Sequence, residues 1–296
     1  VYSQTQLVYN LNDCIKIGLE KNFSLLIAKN SEAIAKNNFT IGNAGYLPTL
    51  DLNTKHSGTV NDITQNMTDD SQTKSNDVHN TTTSAGLALD MTIFNGFSVQ
   101  TTYKKLNELK QVGELNTQLA VENLVADIVS GYYNYIQQIE LLNNIKYAVT
   151  LSKERLRIDE DRYLLGSSSK LQVLQSRVYL NADSSRLSRQ FEVVRATEIR
   201  LNELMAVEDL SQMFSSKDTS ITVNPDLLFE KLLEETLVNN TSLLIASKDK
   251  TISEYDYKLV TARSYPYLIA SSGYNYNLNT YSNSTIKDHM TNGLNY

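Results

Sequence analysis

The 296-residue chain carries a formal net charge of −6 and is 41% hydrophobic, enough apolar side chain for a sizeable core. Its basic residues are dispersed with no basic block, which excludes the electrostatic footprint of a nucleic-acid binder. A single Cys excludes an intrachain disulfide framework, and no run of eighteen apolar residues exists to make a transmembrane helix, although the alternating strands of an outer-membrane barrel would escape that test.

The chain opens at Val1 without Met, as a mature or cropped N-terminus would, and "VYSQTQ" is compatible with the scar of a signal peptide. Residues 1–45 are expected to hold a lead-in helix, predicted over 11–43 from Leu11, Ile15, Leu19, Leu26, Ile27, Ile34 and Ile41 on one face. Pro48 ends that regime, and residues 46–97 are expected to form a β-hairpin. Leu50, Leu52 and Thr54 alternate with Asp51, Asn53 and Lys55 in its first strand. Residues 60–82, polar and almost free of large apolar groups, predict a solvated loop. In the second strand Ala85, Leu87, Leu89, Met91 and Ile93 alternate with small or polar residues. A soluble half-buried hairpin has the same alternation, but a small, polar alternate face suits a barrel wall bordering water, with Tyr265, Tyr267, Tyr274 and Tyr276 available as an aromatic girdle.

The strand ends in "FNGF", where Asn95 and Gly96 form the strand-to-helix turn and Gly96 can take a positive φ. Residues 98–206 predict a long helical hairpin. No Pro interrupts the stretch from Ser98 to Leu164, an unbroken helix of about 100 Å at ~1.5 Å per residue. Val121, Leu124, Ile128, Tyr132, Tyr135, Ile139, Leu142 and Val149 recur at steps of three and four, and Val125, Val129 and Ile136 widen the stripe to a second flank. The reversal falls at "LLGSSSK", with Gly166 as a C′ residue and Ser169 as the next N-cap. The returning helix places Leu171, Leu174, Val178, Phe191, Val194, Leu201 and Leu204 on its stripe and reaches about Ala206. Residues 207–226 read as an irregular linker. A second lead-in helix is expected over 227–263 and the start of a second β-hairpin over 264–296.

"SLLIA" occurs at residues 24–28 and again at 242–246. The shift that carries Asn22 onto Asn240 also brings Leu19 onto Leu237, Ile34 onto Ile252, Ala44 onto Ala262, Pro48 onto Pro266 and Leu50 onto Leu268. Such self-similarity predicts a duplicated unit in which a helix, a Pro and an alternating strand follow in order.

Little in the chain points to chemistry. His56, His79 and His289 have no carboxylate or Cys at ligand spacing, so no metal site is expected. Cys14 aligns with Leu232 across the repeat and reads as a small apolar helix residue. Phosphate-binding loops, nucleophile elbows and metalloprotease motifs are missing. The carboxylates of "DEDR" at 159–162 read as a solvated helix face. No catalytic, cofactor-binding or metal residue is assigned, and no enzymatic activity is expected.

Three motifs in order, the Pro entering each strand ("GYLPTL", "SYPYL"), the exit "IFNGF" and the reversal "RYLLGSSSKLQVLQSR", resemble the TolC-like outer-membrane efflux protein family over essentially the whole chain. At the reversal Arg162, Tyr163, Gly166, Ser169, Val173 and Leu174 fit the family pattern, while Gln172 stands where an Asp is usual. The resemblance implies a mixed α+β fold, mainly α, with two structural repeats, long coiled-coil-like hairpins in the periplasm and antiparallel strands that three chains close into an outer-membrane barrel. It also implies a passive duct in the outer membrane, spanning into the periplasm, with a periplasmic adaptor, an inner-membrane transporter and outer-membrane lipid as partners and no cofactor. On this reading Leu165, Gly166, Ser167, Ser168, Ser169 and Lys170 form the adaptor-docking tip, and Ala85, Leu87, Leu89, Met91 and Ile93 face lipid. The chain is expected to be a fragment, lacking the fourth strand and the second long hairpin. A non-conducting coiled-coil or adhesin-like surface protein is the alternative.

Overall fold

The computed structural model describes residues 7–68, 71–218, 228–282 and 287–296. The fold is mixed α/β and mainly helical. It divides into two compact units, one of residues 1–33 and 113–246, the other of residues 34–112 and 247–296.

In the first unit, strand β1 (Leu7–Tyr9) leads into helix α1 (Leu11–Lys21) through a capping box. Asn10 Oδ1 accepts from the Asp13 N–H while the Asp13 carboxylate accepts from the Asn10 N–H, so two of the orphan donors of the first turn are satisfied. Instead of one helix over 11–43, α1 stops at Lys21 and α2 (Phe23–Asn38) restarts at once. Asn22 causes the break. Its N–H closes α1 on the Gly18 carbonyl at 2.9 Å, its Oδ1 caps the Leu25 N–H at 3.1 Å, and its Nδ2 donates to the Leu204 carbonyl at 2.9 Å. The second lead-in segment behaves the same way. In place of one helix over 227–263, of which Leu227 lies outside the described residues, α5 (Phe229–Asn239) and α6 (Thr241–Ala262) meet at Asn240. Asn240 donates to the Thr236 carbonyl and caps Leu243, both at 3.0 Å. The Asn ahead of each "SLLIA" is thus a helix junction.

Helix α3 (Ser98–Leu164) runs 67 residues without a break and α4 (Lys170–Leu204) returns. Within the first unit they bury Leu124, Ile128, Tyr132, Tyr135, Ile136 and Leu142 of α3 against Val194, Leu201 and Leu204 of α4, with Cys14 of α1 and Phe214 in the same core. Each such side chain contributes about 1.5–3 kcal/mol by leaving water. The linker over 207–226 is less irregular than its composition suggests: β4 (Phe214–Ser216) pairs in parallel with β1, Leu7 opposite Phe214 and Tyr9 opposite Ser216. Residues 219–226 lie outside the described residues.

The second unit is built on an antiparallel sheet in the order β2-β3-β5-β6, with β2 Thr49–Asn66, β3 Gln72–Asn95, β5 Tyr267–Tyr281 and β6 Asp288–Asn295. Two expectations are corrected here. The polar stretch 60–82 is mostly ladder, not loop: Thr59 pairs with Asn80 and Gln65 with Thr73, and the Met67 N–H donates to the Ser71 carbonyl at 2.8 Å. Its strands lack a continuous apolar face and are mostly exposed, with Val78 buried at 5%, and Thr-rich sequence supports a strand without one. The fourth strand is also present, since β6 pairs with β5 from Thr280 opposite Asp288 to Gly273 opposite Asn295.

Candidate channel wall and hairpin tip

The register of the sheet lines up one residue per strand across its width. Leu52 stands opposite Leu87, Leu87 opposite Tyr274, and Tyr274 opposite Leu294. All four are large, apolar-bodied and open, at 69%, 47%, 48% and 76% exposure. Leu50 opposite Leu89 continues that face, as do Met91 and Leu268, and Ile93 is exposed at the bulge between Thr92 and Phe94. Ala85, opposite Thr54, is only half-buried and closes the row above Leu87. On the reverse face Asp51, Asn53, Gly86, Ala88, Asp90, Ser271, Gly273 and Asn275 are small or polar, and Ser271 Oγ donates to Asp90 Oδ1 at 2.6 Å. A soluble sheet keeps its apolar face covered and its polar face wet. This sheet leaves both faces open, apolar on one and polar on the other, as a wall between lipid and water requires. The four tyrosines sit at two levels: Tyr265 and Tyr267 at the helix end of β5, Tyr274 and Tyr276 about 23 Å further along at ~3.3 Å per residue.

The wall leaves the sheet at Asn95–Phe97. Gly96 has φ +54° and Phe97 φ +65°, two successive left-handed residues that turn the strand into the first residue of α3. A Cβ on Gly96 would lie 2.4 Å from the Ala262 carbonyl oxygen, so Gly96 serves both conformation and close backbone approach. Phe94 and Phe97 pack edge to face at 5.3 Å between centroids.

At the reversal α3 ends in a Schellman motif: Gly166, at φ +74°, donates to the Tyr163 carbonyl, and Ser167 donates to that of Arg162. Ser169 then caps α4, its hydroxyl accepting from the Gln172 N–H. Leu164 and Leu165 are more than 80% exposed, and Lys170 is exposed, whereas Ser168 is half-buried. Behind the tip the predicted stripe is corrected. Leu171, Leu174, Val178 and Phe191 are exposed, and Val173, Ser176 and Gln190 are buried in their place, in line with Val194, Leu201 and Leu204 of the predicted stripe. The seam between the helices is stapled by polar pairs. Ser176 Oγ donates to Asp159 Oδ2 at 2.5 Å, Ser152 Oγ to Asp183 Oδ2 at 2.5 Å, Arg177 to Glu160 at 2.9 Å, and Gln190 to the Gln138 side chain at 2.9 Å. Asp159, read as part of a solvated "DEDR" face, is therefore buried. Such pairs fix the register of two long helices at little net gain in stability.

Around β1 and β4, Phe214 stacks on Tyr9 at 5.7 Å and meets Tyr135 edge to face at 4.9 Å. Tyr135 donates to the Phe214 carbonyl at 2.9 Å, and Tyr132 to the Asp218 carboxylate at 2.7 Å. Burial pushes the Cys14 thiol and both tyrosine hydroxyls up to about 12, with the Asp13 charge adding to the first and that of Glu198 to Tyr135. An unfolded chain loses these protons from about pH 9 to 10, while the folded chain holds them to about 12. The folded state then binds more protons, so stability falls as pH rises through that window. The thermal midpoint is expected to drop between pH 9 and 12, and Tyr135→Phe is expected to flatten the drop. A midpoint independent of pH in this window would contradict that burial.

Sequence reasoning missed the apolar row as a row, the Asp159–Ser176 staple and the strand pairing of Phe214. Each depends on a partner distant in sequence, and only the Asn before each "SLLIA" was a visible signal for its junction. Among the described residues no group of His, Cys, Asp and Glu is arranged to hold a metal.

Residues 15–207 match the profile of the outer membrane efflux protein family. A search of curated proteins finds no match. Among solved structures the chain superposes on the transmembrane channel CusC with a TM-score of 0.64 at 14% identity, covering 99% of this chain and 66% of that one. The outer membrane protein VceC of Vibrio cholerae gives 0.64 at 14%, covering 96% and 67%. The Campylobacter jejuni outer membrane channel CmeC gives 0.66 at 16%, covering 97% and 60%. At such identities the likeness concerns the fold, and the chain spans about two thirds of the length of the first of these channels. The profile match covers most of the chain, and on that ground it belongs to the outer membrane efflux protein family, whose place is the bacterial outer membrane and the periplasm beneath it.

Proposed function

We propose that the protein is the outer-membrane exit duct of a tripartite efflux pump or type I secretion system: a passive trimeric channel, joined by a periplasmic adaptor to an inner-membrane transporter that supplies the energy. The observation that carries this reading is the two-faced sheet whose edge strands β2 and β6 pair with no further strand among the described residues. Four strands are too few to close a barrel, and three copies bring enough. The apolar face of β5 from Leu268 to Leu278 extends about 33 Å along the strand, or about 25 Å of height at the usual tilt, the thickness of a barrel's lipid band. On this reading Ala85, Leu87, Leu89, Met91 and Ile93 face lipid, the Asp51 and Asp90 side faces water, and the β2–β3 arm beyond Gly58 stands outside the cell. The chain then comprises two structural repeats, each a lead-in helix pair followed by strands, with residues 98–206 as the first periplasmic hairpin and 207–226 as an equatorial linker. Passive conduction needs no catalytic group, so the reading is non-enzymatic.

The tip, Leu165 to Lys170, is assigned to the adaptor's helical hairpin, because exposed Leu164 and Leu165 flank a short, small-residue turn that a second helix tip can approach closely. Leu165→Asp alters the most exposed of these side chains and leaves the Schellman hydrogen bonds, which are main-chain, in place. In the full-length protein it is expected to retain trimer yield and single-channel conductance in planar bilayers while losing export and adaptor crosslinking by at least tenfold. Unchanged export would move the docking point elsewhere, and a wild-type protein without conductance would favour the non-conducting surface protein.

A further inference from the structure

Past its last ion pairs the α3–α4 hairpin carries positive charge only. Residues 162–182 contain Arg162, Lys170 and Arg177 and no Asp or Glu, in a chain whose net charge is −6. The carboxylates just behind the tip are already engaged. Asp159 accepts from Ser176, Glu160 pairs with Arg177, Asp161 pairs with Arg157, and Asp183 accepts from Ser152. Arg162 and Lys170 are exposed and reach no carboxylate among the described residues. Local stability explains one of these two cations and not the other. Arg162 lies in the last turn of α3, where the helix dipole favours a cation. Lys170 is the first residue of α4, and the first turn of that helix holds no acidic residue. The dipole opposes a cation at a helix N-terminus and favours an Asp or Glu there. The hairpin therefore gives up helix stability to hold a positive charge at its tip, and no described carboxylate receives that charge.

We infer that the tip is a cationic docking surface whose protein partner presents an acidic helical turn, with Asp or Glu side chains opposite Arg162 and Lys170. This deepens the adaptor docking proposed above and rests on it. Leu164, Leu165 and Leu171 stand exposed at the same turn, so the surface has the apolar centre and charged rim of a protein interface. A membrane-surface site gathers about four to eight cations on one face, and two per chain fall short of that. A partner with a basic turn would meet Arg162, Lys170 and the positive end of α4 together, and like charges set against each other at an interface cost affinity. The sign of the charge thus selects among hairpins of similar shape.

The test uses the full-length protein in the cells that produce it, with photo-crosslinking benzoylphenylalanine at Leu171 and products mapped by mass spectrometry. The expected product is a protein labelled at a helical turn that carries more Asp and Glu than Lys and Arg. Label on lipid, on peptidoglycan, on a second copy of this chain or on a basic turn overturns the inference. Lys170→Glu suits the N-terminus of α4, so the thermal midpoint is expected to equal or exceed that of the wild type, while the yield of the product per folded protein falls at least tenfold. Arg162→Glu is expected to lower the yield by a similar factor. Arg189→Glu reverses the same charge at an exposed position well back from the tip and is expected to keep the yield. An unchanged yield in Lys170→Glu, or an equal loss in Arg189→Glu, overturns the charge selection. Loss of the product in Leu165→Asp but not in Lys170→Glu sinks the charge selection alone. A product that survives both changes, or no product at all, sinks the docking point and this inference together.

Discussion

Gly96→Ala is expected to deplete the folded protein from the outer membrane. The position has φ +54°, which costs an L-residue about 1–2 kcal/mol. The new methyl would also sit 2.4 Å from the Ala262 oxygen and 3.0 Å from Tyr265 Cβ. Neither neighbour is the loose end of a side chain. Ala262 is the last residue of α6 and is 3% exposed, so its carbonyl cannot retreat without moving the helix. Overpacking of that kind adds about 1–3 kcal/mol. Gly45 supplies the control, since it also has positive φ, at +90°, but a Cβ there would meet only Val99 Cγ2 at an ordinary 3.6 Å. Gly45→Ala should therefore show the conformational cost alone. Denaturant midpoints for both variants, with quantitation in isolated outer membranes, check this, and equal losses would mean that close approach at Gly96 contributes nothing.

Leu89→Arg is expected to cost about 2–4 kcal/mol of membrane stability, the penalty for a charge on the lipid face near the bilayer midplane. Leu89 lies between Leu50 and Ser272 on the open apolar face. Ala88, one residue away, points to the opposite side between Asp51 and Gly273, where Arg would meet water and carboxylates, so Ala88→Arg should be nearly silent. Urea unfolding of the protein in vesicles measures both. Equal tolerance at 88 and 89 would remove the sheet from the membrane, whatever the rest of the chain does.

These two positions mark how much was legible beforehand. The turn at "FNGF", the unbroken run to Leu164, the reversal at Gly166 and Ser169 and the alternation of residues 85–93 are local properties. Each follows from a residue's own φ preference, the absence of Pro, or a period of two or four within a few neighbours, and a sequence carries those directly. The shared "SLLIA" behind Asn22 and Asn240 was legible for the same reason, though not that each Asn breaks the helix. Tertiary structure alone decided whether a face is covered and by what. The polar stretch 60–82 became strand because Thr59 found Asn80 and Gln65 found Thr73, pairings whose ladder bonds need no apolar pattern. Asp159 went inside because Ser176, on the other helix, offered its hydroxyl, while Leu171 and Leu174 went outside because the seam runs through Val173 instead. Periodicity states that a helix or strand has an apolar side. Register and pairing between distant segments determine whether that side is packed into a core or left open.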